Sequence, residues 1–320
     1  MSEKLIVSSS PHFWSKISTS RVMLDVIIAL IPATIAGAYF FGLRALLVCA
    51  VTILACVAAE YVCRRAMGRE NTVMDLSAVV TGLLLALNLP PAIELWKAAV
   101  GGVLAIVIVK QLFGGIGQNF MNPALAARVM LLTSWGGSMT RWSEPLSDAI
   151  SGATPLALAK QQFQGMSGIQ LPSYADLFLG SIAGCIGETS ALALIIGAVY
   201  LLVRKVISWE IPAFYIATTA IMTWMLGGVG GIFTGDPVFH VLSGGLLLGA
   251  CFMATDYSTS PMTRKGKMIM GFGCGLLTVI IRLYTGSPEG VSFAIIIMNV
   301  IVPLIDRYTV PKVFGGERRA

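Results

Sequence analysis

Long, nearly uncharged apolar segments recur along most of the chain, and this feature restricts the fold more than any other. A helix that spans a bilayer needs about 20 mostly apolar residues. Only 12% of the 320 residues are charged and 56% are hydrophobic, whereas about 25% of the residues in a soluble domain are charged. We therefore predict an all-α polytopic membrane protein with about ten transmembrane helices. The predicted segments are 23–41, 43–62, 73–89, 95–109, 123–135, 177–203, 211–226, 238–254, 268–281 and 291–305.

The distribution of Lys and Arg predicts the orientation of these segments. Cytoplasmic loops of membrane proteins carry an excess of both residues. With the N-terminus inside, sixteen of them fall on the cytoplasmic side, and Arg128 lies within the fifth segment. The five that fall outside are Arg44, Lys97, Arg141, Lys160 and Arg282. We expect both termini in the cytoplasm, no cleavable signal peptide, and a net charge of +6 that reflects this asymmetry rather than nucleic-acid binding.

A weak internal repeat relates the two halves of the chain. Residues 101–110 resemble residues 273–282, and residues 81–85 resemble residues 244–248. Because each half holds five predicted segments, the second copy must be inverted, an arrangement common in transporters. We expect one membrane domain over residues 1–320. Its parts are a first five-helix repeat (1–135), an outer-face loop (136–175) and a second five-helix repeat (176–320).

A small polar stretch in the outer loop is the strongest candidate site. It reads Asp148-Ala-Ile-Ser151-Gly152-Ala153-Thr154 and is followed by Pro155. Gly152 permits a tight turn, and Ala153 adds no bulk. Pro155 favours an extended backbone at Thr154, whose hydroxyl can then be presented to an enzyme. An ordinary surface turn is the alternative for so short a pattern.

Several polar residues lie in or beside apolar segments. Glu188 is near the middle of segment 177–203, where a carboxylate is costly unless it is paired or hydrated. Arg128 is a possible partner, or could attract a phosphate group; alternatively, the segment is broken and Glu188 lies at a hydrated break. Asp256 lies in a run of oxygen-bearing side chains, 255–260, which suit either hard cations or the polar edge of a cofactor ring. A satisfied helix cap would explain the same run.

A Gly-rich stretch, Gly114-Gly-Ile-Gly-Gln-Asn119, precedes Asn122 and Pro123. No βαβ unit surrounds it, so the dinucleotide-binding interpretation fails. Either a re-entrant turn that lines a cavity or a tight cytoplasmic turn would fit, and Pro123 suits the first turn of a helix. The cysteines form no CxxC pair, so we predict small buried side chains and neither a zinc nor an Fe–S site held by this chain alone. The alternative is that one inward-facing cysteine helps to hold a cluster shared with another chain. The six cysteines are Cys49, Cys56, Cys63, Cys185, Cys251 and Cys274.

Together these motifs resemble the NqrB/RnfD family, whose members are membrane subunits of sodium-translocating NADH:quinone reductases and of Rnf electron-transport complexes. The resemblance extends over nearly the whole chain, and an apolar segment that starts soon after residue 20 favours the Rnf branch. The matching stretches are Asp148–Thr154, Gly114–Ala124, Gly187–Ser190, Ala254–Pro261 and Pro288–Phe293.

The resemblance implies a urea-transporter-like fold in the bacterial cytoplasmic membrane. It implies covalent FMN on Thr154, with Asp148, Ser151, Gly152 and Ala153 as the recognition stretch, and a second, noncovalent riboflavin. Asn119, Asn122 and Arg128 are further flavin-contact candidates; Glu188 and Asp256 are ion-pathway candidates. The partners implied are other membrane subunits, an outer-face flavin subunit, and cytoplasmic NADH-binding and Fe–S subunits, which together couple ferredoxin and NAD+ chemistry to Na+ or H+ export. This chain alone would not be catalytic.

A different class of protein shares the same pattern of segments. A channel or transporter for a small polar solute would place its pore between the two halves, and Thr154 would carry nothing. A flavin carrier is yellow when purified, whereas a solute channel is colourless. This observation separates the two.

Overall fold

The computed structural model describes residues 18–146, 153–166, 168–228 and 231–311. Asp148, Ser151 and Gly152 lie outside these residues. Within them the fold is all-helical, as predicted. The helices are α1 Thr19–Phe41, α2 Leu43–Ala66, α3 Ser77–Leu87, α4 Leu95–Leu104, α5 Pro123–Ser134, α6 Gly136–Met139, α7 Pro155–Phe163, α8 Tyr174–Leu179, α9 Ala191–Val203, α10 Glu210–Leu226, α11 Pro237–Leu242, α12 Leu246–Leu248, α13 Arg264–Tyr284 and α14 Val291–Thr309.

Four helices in the described part of the chain are long and apolar enough to cross a membrane. They are α1, α2, α13 and α14. The prediction of a polytopic membrane protein agrees with them, while the count of ten spans, the inverted repeat and the domain boundaries stay predictions. Two short π-helical stretches, Ala105–Gln111 after α4 and Gly249–Met253 after α12, interrupt regular α-helix in the interior. Such stretches occur often at functional sites.

Two predicted spans are wrong as continuous helices. Segment 177–203 divides into α8 and α9, with irregular backbone from 180 to 190 between them. Segment 238–254 divides into α11 and α12, with a break at 243–245. Apolar composition cannot distinguish a broken helix from a continuous one, because both are buried in the same way. Irregular backbone at this depth requires internal partners, and Ile186 N and Gly187 N donate to the carbonyls of Leu89 and Leu87 at 3.1 and 2.8 Å.

The core is built around α3 and the segments that meet its C-terminal end. Nearly every residue of α3 is buried, and Leu85, Leu87 and Leu89 have no exposed surface. Helix α3 is apolar on all sides, as expected of a helix enclosed by others. Helices α1 and α9 approach closely at Gly197, where a Cβ would lie 2.1 Å from the carbonyl oxygen of Ala29.

Candidate functional site

Thr154 is the N-cap residue directly before α7. Its φ and ψ of −65° and 152° are extended, as Pro155 predicted, and Pro155 occupies the first turn of the helix. The Thr154 hydroxyl accepts a hydrogen bond from Ala157 N at 3.2 Å, so the side chain caps the helix. The residue is only 6% exposed, whereas the preceding Ala153 is exposed.

Thr154 borders a small cleft, which we call the outer cleft. It measures about 270 Å³ including its mouth and is lined by Thr154, Pro155, Leu156, Ile182, Ala183, Gly184, Glu188, Gly244 and Glu289. The breaks in both divided segments contribute to it. One oxygen of the buried Glu188 carboxylate, Oε1, has no hydrogen-bond partner. The outer cleft therefore brings the Thr154 hydroxyl and two acidic residues to one place.

Arg128 on α5 forms the centre of a buried polar network beneath this cleft. Its guanidinium lies 3.5 Å from Glu188 Oε1 and pairs with Glu289. It also donates to Ser292 Oγ at 2.8 Å and to Asn88 Oδ1 at 3.3 Å. Removing one partner from a buried ion pair typically costs about 3–5 kcal/mol, because the remaining charge is left uncompensated. The network thus binds α3, α5, α14 and the irregular stretch 180–190 into one unit.

The structure explains how Glu188 is accommodated. The segment is broken, as the second interpretation of the sequence held, but Glu188 is 3% exposed and is not at a hydrated break. The pairing with Arg128, which the sequence offered only as a possibility, is present. A second arginine on α13, Arg282, contacts the same region by donating from Nε to the carbonyl oxygen of Glu289 at 3.0 Å.

Cys185, Glu188 and Glu289 place potential metal-ligand atoms within 4.8 Å of one another. Arg128 already supplies the positive charge at this point, since its Nη2 also lies 3.4 Å from Cys185 Sγ. The cluster is therefore better described as an ion-pair network than as a metal centre. Five of the six cysteines are buried and Cys63 is half-buried, so the predicted burial is confirmed for the five.

A larger cavity, the inner pocket, opens on the side of the predicted cytoplasmic loops. It measures about 780 Å³ including its mouth, and apolar walls surround a few polar groups. Asn119, Asn122, Asp256, Lys110 and Ser77 are among the residues that line it. Ligand pockets typically measure about 300–1,000 Å³ and have this combination of apolar walls and convergent polar groups.

Asn122 and the stretch before it shape one wall of the inner pocket. Asn122 caps α5 by accepting from Ala124 N and Leu125 N at 3.0 and 3.2 Å. Pro123 occupies the first turn, as predicted. Because Ile116 and Asn119 line the pocket, the Gly-rich stretch is a cavity-lining turn. Asn119 donates to the carbonyl of Met121 at 3.1 Å.

Asp256 lies on the opposite wall, in the loop after the second π-helical stretch. Its carboxylate accepts from the hydroxyls of Ser258 and Thr259 at 3.2 and 3.4 Å. Burial raises the pKa of the Asp256 carboxyl, and the hydrogen bonds from Ser258 and Thr259 oppose this shift. The oxygen-bearing run therefore both closes a turn and faces the pocket, so the two interpretations of the sequence are compatible.

The sequence analysis missed two sets of residues. Glu289 lies in the family-matching stretch Pro288–Phe293, but it was not predicted to be a partner of Arg128. Glu60, inside predicted segment 43–62, is fully buried and pairs with Lys110 at 3.0 Å, while Gln111 donates to it at 2.9 Å. The signal that identified Glu188, a carboxylate within an apolar segment, was equally present at Glu60.

Comparison with known proteins identifies the family. A family model described as NQR2, RnfD, RnfE matches residues 6–315. The chain belongs to this family. The resemblance based on motifs is therefore confirmed for the NQR2, RnfD, RnfE family over almost the full length.

Three relatives within this family are close in length to the chain. It is 52% identical over 314 residues to the D subunit of the Na+-translocating ferredoxin:NAD+ oxidoreductase complex of Acetobacterium woodii, covering 97% of this chain and 95% of the relative. The chain is 46% identical over 321 residues to the D subunit of the proton-translocating ferredoxin:NAD+ oxidoreductase complex of Clostridium ljungdahlii. This match covers 98% of this chain and 96% of the relative. The chain is 39% identical over 331 residues to the D subunit of the ion-translocating oxidoreductase complex of Stutzerimonas stutzeri. This match covers 94% of each protein.

Proposed function

We propose that this chain is the membrane subunit of an Rnf-type ion-translocating ferredoxin:NAD+ oxidoreductase, with covalent FMN on Thr154 and a noncovalent riboflavin. The names of its relatives support the complex and the ion translocation. The position of Thr154 at the start of α7, beside a buried arginine network, is the observation that supports the covalent site. A solute channel would leave the names of the relatives unexplained.

Thr154 suits a phosphoester for a physical reason. A phosphate at the N-terminus of a helix is stabilised by the free N–H groups and by the helix dipole. The Thr154 hydroxyl already contacts the N–H of Ala157, and α7 has nine residues. In the proposed attachment, a flavin transferase uses a flavin dinucleotide as donor: Thr154 Oγ1 bonds to the phosphorus of its FMN half, the pyrophosphate bond breaks, the nucleoside monophosphate leaves, and the hydroxyl proton is released to water. Because Thr154 is 6% exposed, its hydroxyl must become accessible before a transferase can act.

Peptide mass spectrometry tests the attachment. Trypsin cleaves after Arg141 and Lys160, so one peptide carries Thr154. From chain co-produced with a flavin transferase, we expect this peptide at the mass of one added FMN minus one water, with fragment ions that assign the addition to Thr154. An unmodified peptide, or an addition assigned to Ser151, would contradict the proposal.

The inner pocket suits a riboflavin. Its size and largely apolar lining fit a planar ring, and Asn119 and Asp256 provide a donor and an acceptor at its edges. When bound, each of the two flavins would be able to carry one or two electrons, one flavin at the outer side of this chain and the other at the inner side. Asn122 connects these sides, because its Nδ2 donates to the carbonyl of Met253 at 3.2 Å and Met253 Sδ contacts Asn88, a partner of Arg128.

Glu188 and Asp256 are the residues we propose for the ion pathway. Glu188 lines the outer cleft, and its Oε1 makes an ion pair with Arg128 at 3.5 Å but accepts no hydrogen bond; Asp256 lines the inner pocket. A change of flavin charge beside either group would alter its affinity for a cation, because charges in a low-dielectric interior interact strongly. In this proposal the chain couples electron transfer to Na+ or H+ export together with the outer-face flavin, NADH-binding and Fe–S subunits.

We propose that Thr154 faces the outside of a bacterial cytoplasmic membrane and that both termini face the cytoplasm. Gln164, at the end of α7, and Met67, at the end of α2, are both exposed and report the two sides. In intact cells, Gln164→Cys should react with a membrane-impermeant maleimide, and Met67→Cys should react only after lysis. The unmodified chain controls for Cys63, and the reverse pattern would invert the proposed topology.

A further inference from the structure

A second buried ion-pair network lies beside the inner pocket, and nothing said so far gives it a role. Glu60 in α2 is fully buried, and Lys110 and Gln111 are buried at the end of the first π-helical stretch. The Glu60 carboxylate accepts from Lys110 Nζ at 3.0 and 3.1 Å, from Gln111 Nε2 at 2.9 Å and from Thr72 Oγ1 at 3.2 Å. Lys110 also donates to Ser77 Oγ at 2.6 Å. All three donors of the ammonium are therefore engaged.

The π-helical stretch Ala105–Gln111 brings two consecutive side chains, Lys110 and Gln111, to this carboxylate. Successive side chains of a regular α-helix point about 100° apart, and π-helical stretches occur often at functional sites. A buried ion pair is weak evidence for a role in stability, because well-packed apolar side chains of similar volume often hold helices together equally well. The network therefore suits a role that needs its charge.

Lys110 is the member of the ion pair that reaches the inner pocket. Lys110 and Ser77 are among the residues that line this pocket, whereas Glu60 is not. The positive charge of the pair is thus the one nearer to the cavity. Because its donors are all used within the network, Lys110 can act on a bound molecule through its charge and not through a hydrogen bond. Charges interact strongly in a low-dielectric interior.

The other charged groups near the pocket leave this effect in place. Arg64 Nε lies 3.8 Å from Glu60 Oε1, and Asp75 accepts from Ser77 Oγ, so the network holds two cations and two carboxylates. Neither Arg64 nor Asp75 is among the lining residues. Of the lining residues, Lys110 and Asp256 are the charged ones. The inner pocket therefore has one ammonium and one carboxylate in its walls.

We propose that the charge of Lys110 sets the reduction potential of the flavin in the inner pocket, and that Glu60 limits this effect as the counterion. The inference rests on the proposed riboflavin. When one electron passes from the outer flavin, which is oxidised, to the inner flavin, which is reduced, the inner pocket gains one negative charge. The Lys110 ammonium stabilises this charge without giving up a proton. Glu60 is a positioning residue, because it acts through Lys110.

A redox titration of the noncovalent flavin, followed by its absorbance, tests this role in the purified full-length chain. Every protein carries Thr154→Val, which removes the covalent flavin, and is loaded with riboflavin. Glu60→Gln keeps the shape of the side chain and leaves the charge of Lys110 uncompensated. We expect it to raise the ratio of reduced to oxidised flavin at a fixed potential about tenfold, or about 59 mV for one electron. Lys110→Met should lower this ratio by a similar factor.

Two further variants separate a charge effect from a structural one. The double variant Glu60→Gln/Lys110→Met removes both charges and should return the potential close to that of the native pocket. Glu94→Gln, on a half-exposed carboxylate paired with Lys97, is the matched control and should leave the potential unchanged. Loosening of the pocket would shift Glu60→Gln and Lys110→Met in the same direction, whereas a charge effect shifts them in opposite directions. If Lys110→Met does not fold, Glu60→Gln and the double variant decide the question.

The possible results separate this inference from the proposed function. A chain that takes up no noncovalent riboflavin rejects the riboflavin proposal, and this inference with it. Bound riboflavin whose potential is unchanged or lower in Glu60→Gln leaves the riboflavin proposal in place and rejects the role of Lys110. A double variant that keeps the full shift of Glu60→Gln also rejects that role.

Discussion

At the scale of single residues, Thr154 and Arg128 differ in how far the sequence alone reveals their roles. Thr154 is recognisable from its neighbours, because Pro155 fixes an extended backbone before a helix and a hydroxyl at that position becomes a cap. Arg128 has no such local pattern. Its partners Glu188 and Glu289 lie 60 and more positions away along the chain, and only the fold brings them into contact.

Glu188→Gln tests the ion-pathway proposal at this scale. The amide keeps the shape of the side chain, and Arg128 keeps Glu289 as a partner, so we expect the flavin content to be unchanged. Ion export per electron should fall about tenfold, the effect of losing one ion contact worth about 1.4 kcal/mol. The measurement is ion uptake by inverted vesicles containing the assembled complex. Glu94→Gln, on a half-exposed carboxylate paired with Lys97, is the control; unchanged coupling in Glu188→Gln would reject its role.

At the scale of helices, the sequence predicted where apolar segments lie but not where they break. Segments 177–203 and 238–254 read as continuous because residues such as Gly184, Ala183 and Gly244 fit an apolar helix as well as an irregular turn. The break is stabilised by contacts to α3 that are distant in sequence, such as Gly187 N to the carbonyl of Leu87. The caps at Asn122 and Thr154 were predictable because their signals are local.

The contact between α1 and α9 gives a prediction for the element scale. A Cβ at Gly197 would lie 2.1 Å from the carbonyl oxygen of Ala29, so Gly197→Ala must separate the two helices. We expect a loss of about 1–3 kcal/mol, the usual cost of overpacking, despite the higher helix propensity of Ala. Gly137→Ala, where a Cβ meets nothing within 4 Å, is the matched control. Thermal unfolding in detergent measures both; equal midpoints would contradict the close packing.

At the scale of the whole molecule, a chain of buried contacts joins the inner pocket to the outer cleft. The two cavities measure about 780 and 270 Å³ including their mouths. Asn122, Met253, Asn88 and Arg128 connect the inner pocket to the outer cleft through successive contacts. The sequence predicted flavins through its family resemblance. The pockets could not be predicted, because each is formed by residues from several distant segments.

Asn119→Leu tests the riboflavin proposal. It removes an amide that lines the inner pocket, and one lost hydrogen bond of about 0.5–1.5 kcal/mol should lower the content of noncovalent flavin by roughly 2- to 10-fold. Acid extraction releases this flavin and leaves covalent FMN with the precipitated protein. Gln118→Leu, on an exposed neighbour, should have no effect. Equal release from both variants would place the riboflavin elsewhere.

The covalent flavin is the central claim, and in-gel fluorescence after denaturing electrophoresis tests it most directly. The native chain, Thr154→Ser, Thr154→Asn and Thr154→Val are each co-produced with a flavin transferase. Asn retains a helix-capping side chain without a hydroxyl, so it separates attachment from folding. We predict fluorescent bands for the native chain and Thr154→Ser, and dark bands for Thr154→Asn and Thr154→Val. A dark native band beside an active transferase, or a fluorescent Thr154→Asn band, would contradict the account.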